Sequence, residues 1–273
     1  MACIVFTDLD GTLLNSETYA YEATLPMLAK LAAQGIPVVP VTSKTRAEVA
    51  QLRQDVGLTD PFIVENGSAI YIPLEQTSFT LPPKTEDADD IDGYRVLPLG
   101  CNYVTARAGL KAIAQSLGRP LKGFGDWSVD QVVQLTGLST EAAKQAKARE
   151  FSEPFMTPKN VAADDLQQAV AAMGFRVVLG DRFSHLLGGG AGKGAAVHRL
   201  VNLYQAADNP VTIGLGNSPN DLDMLTAVDH GIVLPGANGP HPDLAHRGWT
   251  IAPAPAPEGW ALAVEAALAA LQR

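Results

Sequence analysis

Asp8 and Asp10 flank a single leucine, and Gly11 and Thr12 follow them directly. Alternate side chains of an extended chain point the same way, so both carboxylates face one site, and Gly11 permits a sharp turn after them. Two carboxylates held together repel, so such a pair calls for a cation or a shared proton. A second polar group, Thr42-Ser43-Lys44-Thr45-Arg46, is partly helix-capping chemistry, because Thr45 and Glu48 have capping-box spacing. Thr42 differs: it ends an apolar run. Lys193 opens a helical pattern after Gly188, Gly189, Gly190 and Gly192. A Walker-type phosphate loop fails there, since Leu187 stands in the first glycine position and Gly194 where Ser or Thr belongs. The fourth group, Gly214-Leu215-Gly216-Asn217-Ser218-Pro219-Asn220-Asp221, follows another apolar run and offers oxygen ligands suited to a hard cation such as magnesium. A dinucleotide fingerprint fails on Pro219, which takes the last glycine position. Ser218 or Asn220 fits a helix cap. His198, His230, His241 and His246 form no ligand pattern and read as structural or solvated.

These groups need elements to position them. Cys3 to Thr7 is apolar on both faces, which predicts a fully buried strand ending at Asp8. Leu25, Leu28, Leu31 and Ala32 mark one helix face that stops at Gly35. Ile36 to Val41 is the next strand, and the helix capped by Thr45 ends at Gly57. Phe62 to Glu65 and Ala69 to Ile72 are further strands about the turn-forming Asn66-Gly67. This β-α-β-α-β order predicts a parallel sheet with right-handed crossovers, which binds ligands at the carboxyl ends of its strands.

The pattern changes after Pro82-Pro83. The acidic stretch Glu86 to Asp92 reads as a solvated loop. Helical patterns follow at Thr105–Leu117, Val129–Leu135, Thr140–Ala148 and Asp164–Met173, then a hairpin of Phe175–Leu179 and Phe183–Leu187 around Gly180-Asp181. Alternation resumes with a helix at Lys193–Gln205, a strand at Val211–Leu215, a helix at Leu222–Val228 and a strand at Gly231–Leu234. The Ala-Pro run from Ala252 to Pro257 is a stiff strap before a last helix at Leu262–Leu271. The predicted fold is therefore α/β: a Rossmann-like parallel-sheet core, residues 1–82 and 188–273, with an inserted α+β cap at 83–187. No internal repeat is present.

With 273 residues and 47% hydrophobic content the chain can bury a large core, and its net charge of −9 argues against nucleic acid or an anionic membrane as partner. A small anionic ligand stays compatible, since a metal and a few basic side chains reverse the potential locally. Cys3 and Cys101 show no metal-type spacing, and no apolar run is long enough to span a bilayer, so the expectation is a cytoplasmic protein. Oligomeric state is not readable.

The four polar groups, in this order and each at a strand end, resemble the haloacid dehalogenase superfamily of phosphatases. Within it, Lys122-Gly123-Phe124-Gly125-Asp126-Trp127-Ser128, Leu135-Thr136-Gly137-Leu138, Ala146 to Phe155, Arg182-Phe183-Ser184-His185-Leu186, Thr42 to Arg46 and Glu65 to Tyr71 look like the mannosyl-3-phosphoglycerate phosphatases. The chain departs from that pattern at Asn217, where Asp is usual and metal affinity is at stake, at Ala191 and at Trp127.

The resemblance implies a magnesium-dependent phosphatase acting on mannosyl- or glucosyl-3-phosphoglycerate, and hence a place in making a hexosylglycerate compatible solute. It implies Asp8 as nucleophile through an aspartyl-phosphate, Asp10 as acid and base, Thr42 and Lys193 stabilising the phosphoryl group, and Mg2+ held by Asp8, Asp10, Asn217 and Asp221. Ser43, Lys44, Arg46, Asn66 and Lys122 are then candidates for the substrate, Arg149 or Arg182 for the glycerate carboxylate, and Glu65, Asp126, Glu150 and His185 by type for sugar hydroxyls. Two other readings stay open. A broader sugar-phosphate phosphatase or phosphosugar mutase keeps the core groups with another leaving group; a non-catalytic binding module has the intact Asp8, Asp10 and Lys193 against it.

Overall fold

The computed structural model describes residues 2–76, 78–85, 88–180, 182–205 and 209–272. The first strand, β1 (Cys3–Thr7), is buried at every position. It is followed by α1 (Leu25–Ala33), β2 (Val38–Pro40), α2 (Arg46–Val56), β3 (Phe62–Val64) and β4 (Ala69–Pro73). Strands β5 (Asp89–Ile91) and β6 (Tyr94–Pro98) come next, then α3 (Tyr103–Ser116), α4 (Val129–Thr136) and α5 (Thr140–Lys147). The chain continues through β7 (Glu153–Met156), α6 (Ala163–Ala171), β8 (Phe175–Val178), β9 (Phe183–Gly188) and α7 (Lys193–Val201). It closes with β10 (Val211–Gly216), α8 (Leu222–Ala227), β11 (His230–Val233), α9 (Pro242–Ala245), β12 (Thr250–Ile251) and α10 (Glu258–Leu271).

Five strands pair in parallel in the order β12-β11-β10-β1-β2, so β1 and β10 are central neighbours. Side-chain alternation along β1 divides the core into two layers. Cys3 and Val5 pack with α1, α2 and α10 through Leu31, Val49, Trp260 and Val264. Ile4 and Phe6 pack with α7 and α8 through Ala196, Val197, Leu200 and Met224. Each fully buried Phe or Leu stabilises such a core by about 1.5–3 kcal/mol. The parallel arrangement puts the carboxyl ends of β1, β2 and β10 along one edge, and with them Asp8, Thr42 and Asn217.

Some elements differ from the sequence reading. The expected parallel sheet reaches β3 through a single parallel bridge, Val41 to Ile63, but β3 and β4 form an antiparallel hairpin. That hairpin continues as the antiparallel order β3-β4-β6-β5. The acidic stretch is therefore not simply a loop. Asp89–Ile91 pairs with Tyr94–Pro98 around Asp92-Gly93, both at positive φ, as a two-residue hairpin turn requires. An edge strand tolerates acidic side chains because its outer face is solvated, and Asp90 there pairs with Lys84 and Arg95. Glu86 and Asp87 lie outside the described residues. Residues 89–98 thus belong to the sheet that carries β4, and a boundary at Pro83 falls before that sheet is complete.

Beyond β6, α3 to α6 pack with a three-stranded antiparallel sheet, order β7-β9-β8. Strand β7 was hidden in the sequence by Pro154, which sits at an edge position that loses no ladder bond to a second neighbour. Strands β8 and β9 form the expected hairpin, although Asp181 in its turn lies outside the described residues. Helix α7 stops at Val201, four residues before the predicted end. Among the described residues no helix is long and apolar enough to cross a membrane.

Candidate active site

At the carboxyl edge of β1 and β10, Lys193 Nζ lies 2.7 Å from Asp8 Oδ1 and 2.6 Å from Asp221 Oδ1. All three side chains are buried, with Asp221 at 0% exposure. Burial and the Asp221 carboxylate push the Asp8 carboxyl up to about 7, against the opposing pull of Lys193. Burial also works to lower the Lys193 ammonium, but Asp221 and Asp8 outweigh it and hold the group above its ordinary value. Two carboxylates thus share one ammonium, a site short of positive charge.

Local structure places each group. Thr7 Oγ1 accepts a 3.0 Å hydrogen bond from the Trp260 indole and donates one of 2.7 Å to the Asp8 carbonyl, tying the end of β1 to α10. Asp221 Oδ2 accepts the backbone N–H groups of Asn217 and Ser218 at 2.9 and 3.1 Å, which winds the loop after β10 around its carboxylate. Lys193 is delivered by close backbone approach: a Cβ on Gly67, at φ 84°, collides with the Gly192 carbonyl. Gly11, at φ 74°, likewise leaves room for the Asn217 amide, whose Oδ1 accepts from Thr12 Oγ1 at 3.3 Å.

Thr42 is 1% exposed. Its Oγ1 accepts the Lys44 N–H at 3.2 Å, which leaves its own hydrogen to donate. Asp10 is more open: Oδ2 pairs with Lys44 Nζ at 2.9 Å, while Oδ1 is buried without a partner among the described residues. The Lys44 ammonium also faces the Tyr19 ring, 5.3 Å to the centroid. Burial opposes its charge, and Asp10 together with Glu48 raises its pKa nonetheless.

Asp10, Tyr19, Ser43, Lys44, Arg149, Arg182 and His185 line one cleft between the parallel sheet and the β8-β9 hairpin. Arg149 Nη1 also donates to the Ser43 carbonyl at 2.7 Å, bridging the segment after α5 to that before α2. Burial, then Arg149 and Lys193, pulls the His185 imidazole down to about 3, so it is neutral.

The other expected substrate groups have protein partners. Glu65 is fully buried, and its carboxylate accepts from the N–H groups of Glu150, Phe151 and Ser152 and from Ser152 Oγ, between 2.6 and 3.3 Å. Burial raises its pKa, with Arg149 and the Ser152 bond pulling the other way. Glu150 takes Tyr71 Oη at 2.6 Å and Arg46 Nε at 2.9 Å, and Arg46 continues to Asp92 at 2.8 Å. Asp126 accepts from Arg107 Nη2 at 2.8 Å and the Gly123 N–H at 2.9 Å. Glu65, Glu150 and Arg46 therefore brace the link between α5 and β7, Asp126 braces its own loop, and the exposed Lys122 precedes that loop. Asn66 is 1% exposed with Nδ2 unpartnered among the described residues.

A model of haloacid dehalogenase-like hydrolases matches residues 5–94. A protein of Persephonella marina named glucosyl-3-phosphoglycerate/mannosyl-3-phosphoglycerate phosphatase is 37% identical, over 94% of each chain. One of the same name from Methanococcoides burtonii is 40% identical over 84% of this chain and 83% of its own. The chain belongs to the mannosyl-3-phosphoglycerate phosphatase family of haloacid dehalogenase-like hydrolases. It is a phosphoric monoester hydrolase. A haloacid dehalogenase-like hydrolase from B. subtilis shares the fold at a TM-score of 0.65 and 18% identity, covering 91% of this chain and 94% of its own.

A divalent cation is implied by this family, and the residues of this phosphatase fit one. Asp8 and Asp221 are buried carboxylates that share one ammonium, and burial and the Asp221 charge together raise Asp8, an excess of negative charge that a cation relieves. Among the described residues no three His, Cys, Asp or Glu side chains converge as a metal group, so neutral oxygens must complete the set. The sequence assigns no role to Tyr19 or Asp243 of the phosphatase and reads His241 as structural, yet all three line the cleft on one side or the other. No local pattern marks them: Tyr19 arrives on an irregular segment, and His241 and Asp243 begin a helix of only four residues.

Proposed function

We propose that this phosphatase hydrolyses mannosyl- or glucosyl-3-phosphoglycerate to the hexosylglycerate and phosphate, with Mg2+, through an aspartyl-phosphate. The observation that carries the reading is a cleft that sets Lys44, Arg149 and Arg182 around Asp10, beside the buried Asp8. Three cations suit a leaving group that carries its own carboxylate. The names of the two relatives support the same substrates.

Asp8 attacks phosphorus in line, the P–O bond to the glycerate oxygen breaks, and Asp10 supplies the leaving oxygen with a proton. Asp10 then takes a proton from the water that hydrolyses the acyl-phosphate. Thr42 donates to a phosphoryl oxygen, and Lys193 balances charge beside Asp8. Asp8, the Asp10 carbonyl, Asn217 and Asp221 would hold the Mg2+, which supplies charge neutralisation on the phosphoryl group when bound. The α3–α6 layer with its β7-β9-β8 sheet acts as the cap that excludes bulk water and selects the leaving group. Its limits are about Asn102 and Gly188, since β6 pairs with β4 and β5 with β6.

Mannose and glucose differ in one hydroxyl orientation, so discrimination between them is small beside that against plain hexose phosphates. Phosphate release from both glycosyl-3-phosphoglycerates, 3-phosphoglycerate and a panel of hexose phosphates tests the reading. A hexose phosphate as the best substrate overturns it in favour of a broader sugar phosphatase.

A further inference from the structure

The cleft has two lobes, and Ser43, Phe183 and His185 line both. The lobe of about 340 Å³ contains Asp10 with Lys44, Arg149 and Arg182. The other, of about 470 Å³, is walled by Asn66, by Ser218 and Asn220 after β10, and by His241 and Asp243 at the N-terminal end of α9. Nothing in the mechanism uses that second wall beyond the Asn66 side chain.

The charge of the two lobes differs in kind. Lys44, Arg149 and Arg182 outnumber the Asp10 and Glu48 carboxylates in the first lobe, whereas the fixed charge on the described wall of the second is the Asp243 carboxylate. A glycerate carboxylate is attracted to the first and repelled by the second. The second lobe instead offers alternating donors and acceptors. Asn66 Nδ2 is buried with no partner among the described residues, while its Oδ1 accepts from Asn220 Nδ2 at 3.3 Å. His241 Nδ1 accepts the Asp243 backbone N–H at 3.2 Å, so the ring hydrogen sits on Nε2 and that atom donates. The Asp243 carboxylate accepts. Sugar hydroxyls both donate and accept, and a volume of this order is typical of small-molecule sites.

We infer that the second lobe is the sugar subsite, and that His241 and Asp243, from the sheet-bearing part of the chain, determine specificity for the glycosyl group. This rests on the glycosyl-phosphoglycerate reading above. Specificity in this phosphatase is then shared between the cap, which reads the carboxylate, and the N-terminal end of α9, which reads the sugar.

The test is the ratio of kcat/KM for glucosyl-3-phosphoglycerate over bare 3-phosphoglycerate, which keeps phosphate and carboxylate but lacks the sugar. His241→Ala and Asp243→Ala should each lower that ratio by about 3- to 10-fold, the scale of one lost hydrogen bond, chiefly through KM. Arg182→Ala should lower both substrates together and leave the ratio near its wild-type value. Should Asp243→Ala not fold, Asp243→Leu removes the acceptor with a side chain of similar size, and the same fall is expected. An unmoved ratio in both His241 and Asp243 variants overturns the subsite, as does a fall confined to Arg182→Ala. A wild-type ratio near one overturns the substrate reading itself and takes the sugar subsite with it.

Discussion

Lys44 Nζ stands 2.9 Å from Oδ2 of Asp10, and Tyr19 lies over the same ammonium. The pair joins the loop after β2 to the loop after β1 and leaves Asp10 Oδ1 as the oxygen without a partner among the described residues. In the proposed mechanism Lys44 thereby orients the acid that serves the leaving group. Lys44→Met should lower kcat by about tenfold, less than loss of Asp10 itself, for which at least about 10²-fold is typical of acid–base catalysis. Lys44→Arg should recover part of the rate; equal damage by both variants, with KM alone changed, points to simple substrate binding.

Asp8→Asn should abolish phosphate release while leaving the fold intact, because it removes the covalent route instead of slowing it. EDTA should remove activity reversibly, with return on added Mg2+. Substantial turnover by Asp8→Asn would sink the nucleophile assignment.

Asn217 lies beside Gly11 in the loop wound around Asp221, so its side chain is close to the buried carboxylates. Hard cations bind more tightly as carboxylates replace neutral oxygens. Asn217→Asp should move the Mg2+ activation midpoint to lower concentration. An unchanged midpoint, read by titration of activity and of thermal stability, removes Asn217 from the ligand set.

Arg182 and Arg149 separate in their other duties. Arg149 also donates to the carbonyls of Ser43 and Ala146, so its loss disturbs the approach of α5 to α2. Arg182 lines the cleft and stacks on Phe183, 5.5 Å from the ring centroid. Arg182→Ala should lower kcat/KM for glycosyl-3-phosphoglycerate by roughly 30- to 150-fold, the scale of a lost charge-assisted bond, and barely change p-nitrophenyl phosphate. Arg149→Ala should add a fall in melting temperature. Equal effects on both esters in both variants defeat the carboxylate reading.

His185 is held neutral, down to about 3, by burial and by Arg149 and Lys193. In the unfolded chain an imidazole titrates at about 6.5. Between these values the unfolded state binds a proton that the folded state refuses, so His185 makes stability fall as pH drops from about 6.5 toward 3. Denaturant midpoints measured across that window should fall less steeply in His185→Gln. A parallel pH dependence in the two proteins means the native ring protonates freely.

What the sequence by itself determined is the polar carboxyl edge of the sheet. Asp8, Thr42, Lys193 and Asp221 were legible because each follows a buried strand or opens a helix, and both signals are carried by a few adjacent residues. The capping box of Thr45 and Glu48 was legible for the same reason. Tertiary structure alone decided what the polar groups in and beside the inserted module do. Glu65, Asp126 and Glu150 are all suited by type to a sugar, yet Glu65 meets its partners 85 to 87 residues away in the chain. A carboxylate that is 0% exposed must be satisfied by the protein, and which donors reach it depends on packing that no local pattern encodes. Strand β5 was concealed by its acidic composition, since pairing with β6 and not side-chain propensity makes it a strand. His241 and Asp243 reach the cleft for a like reason: the four-residue helix they begin is too short to show a periodicity, and only the tertiary packing brings it opposite the β8-β9 hairpin.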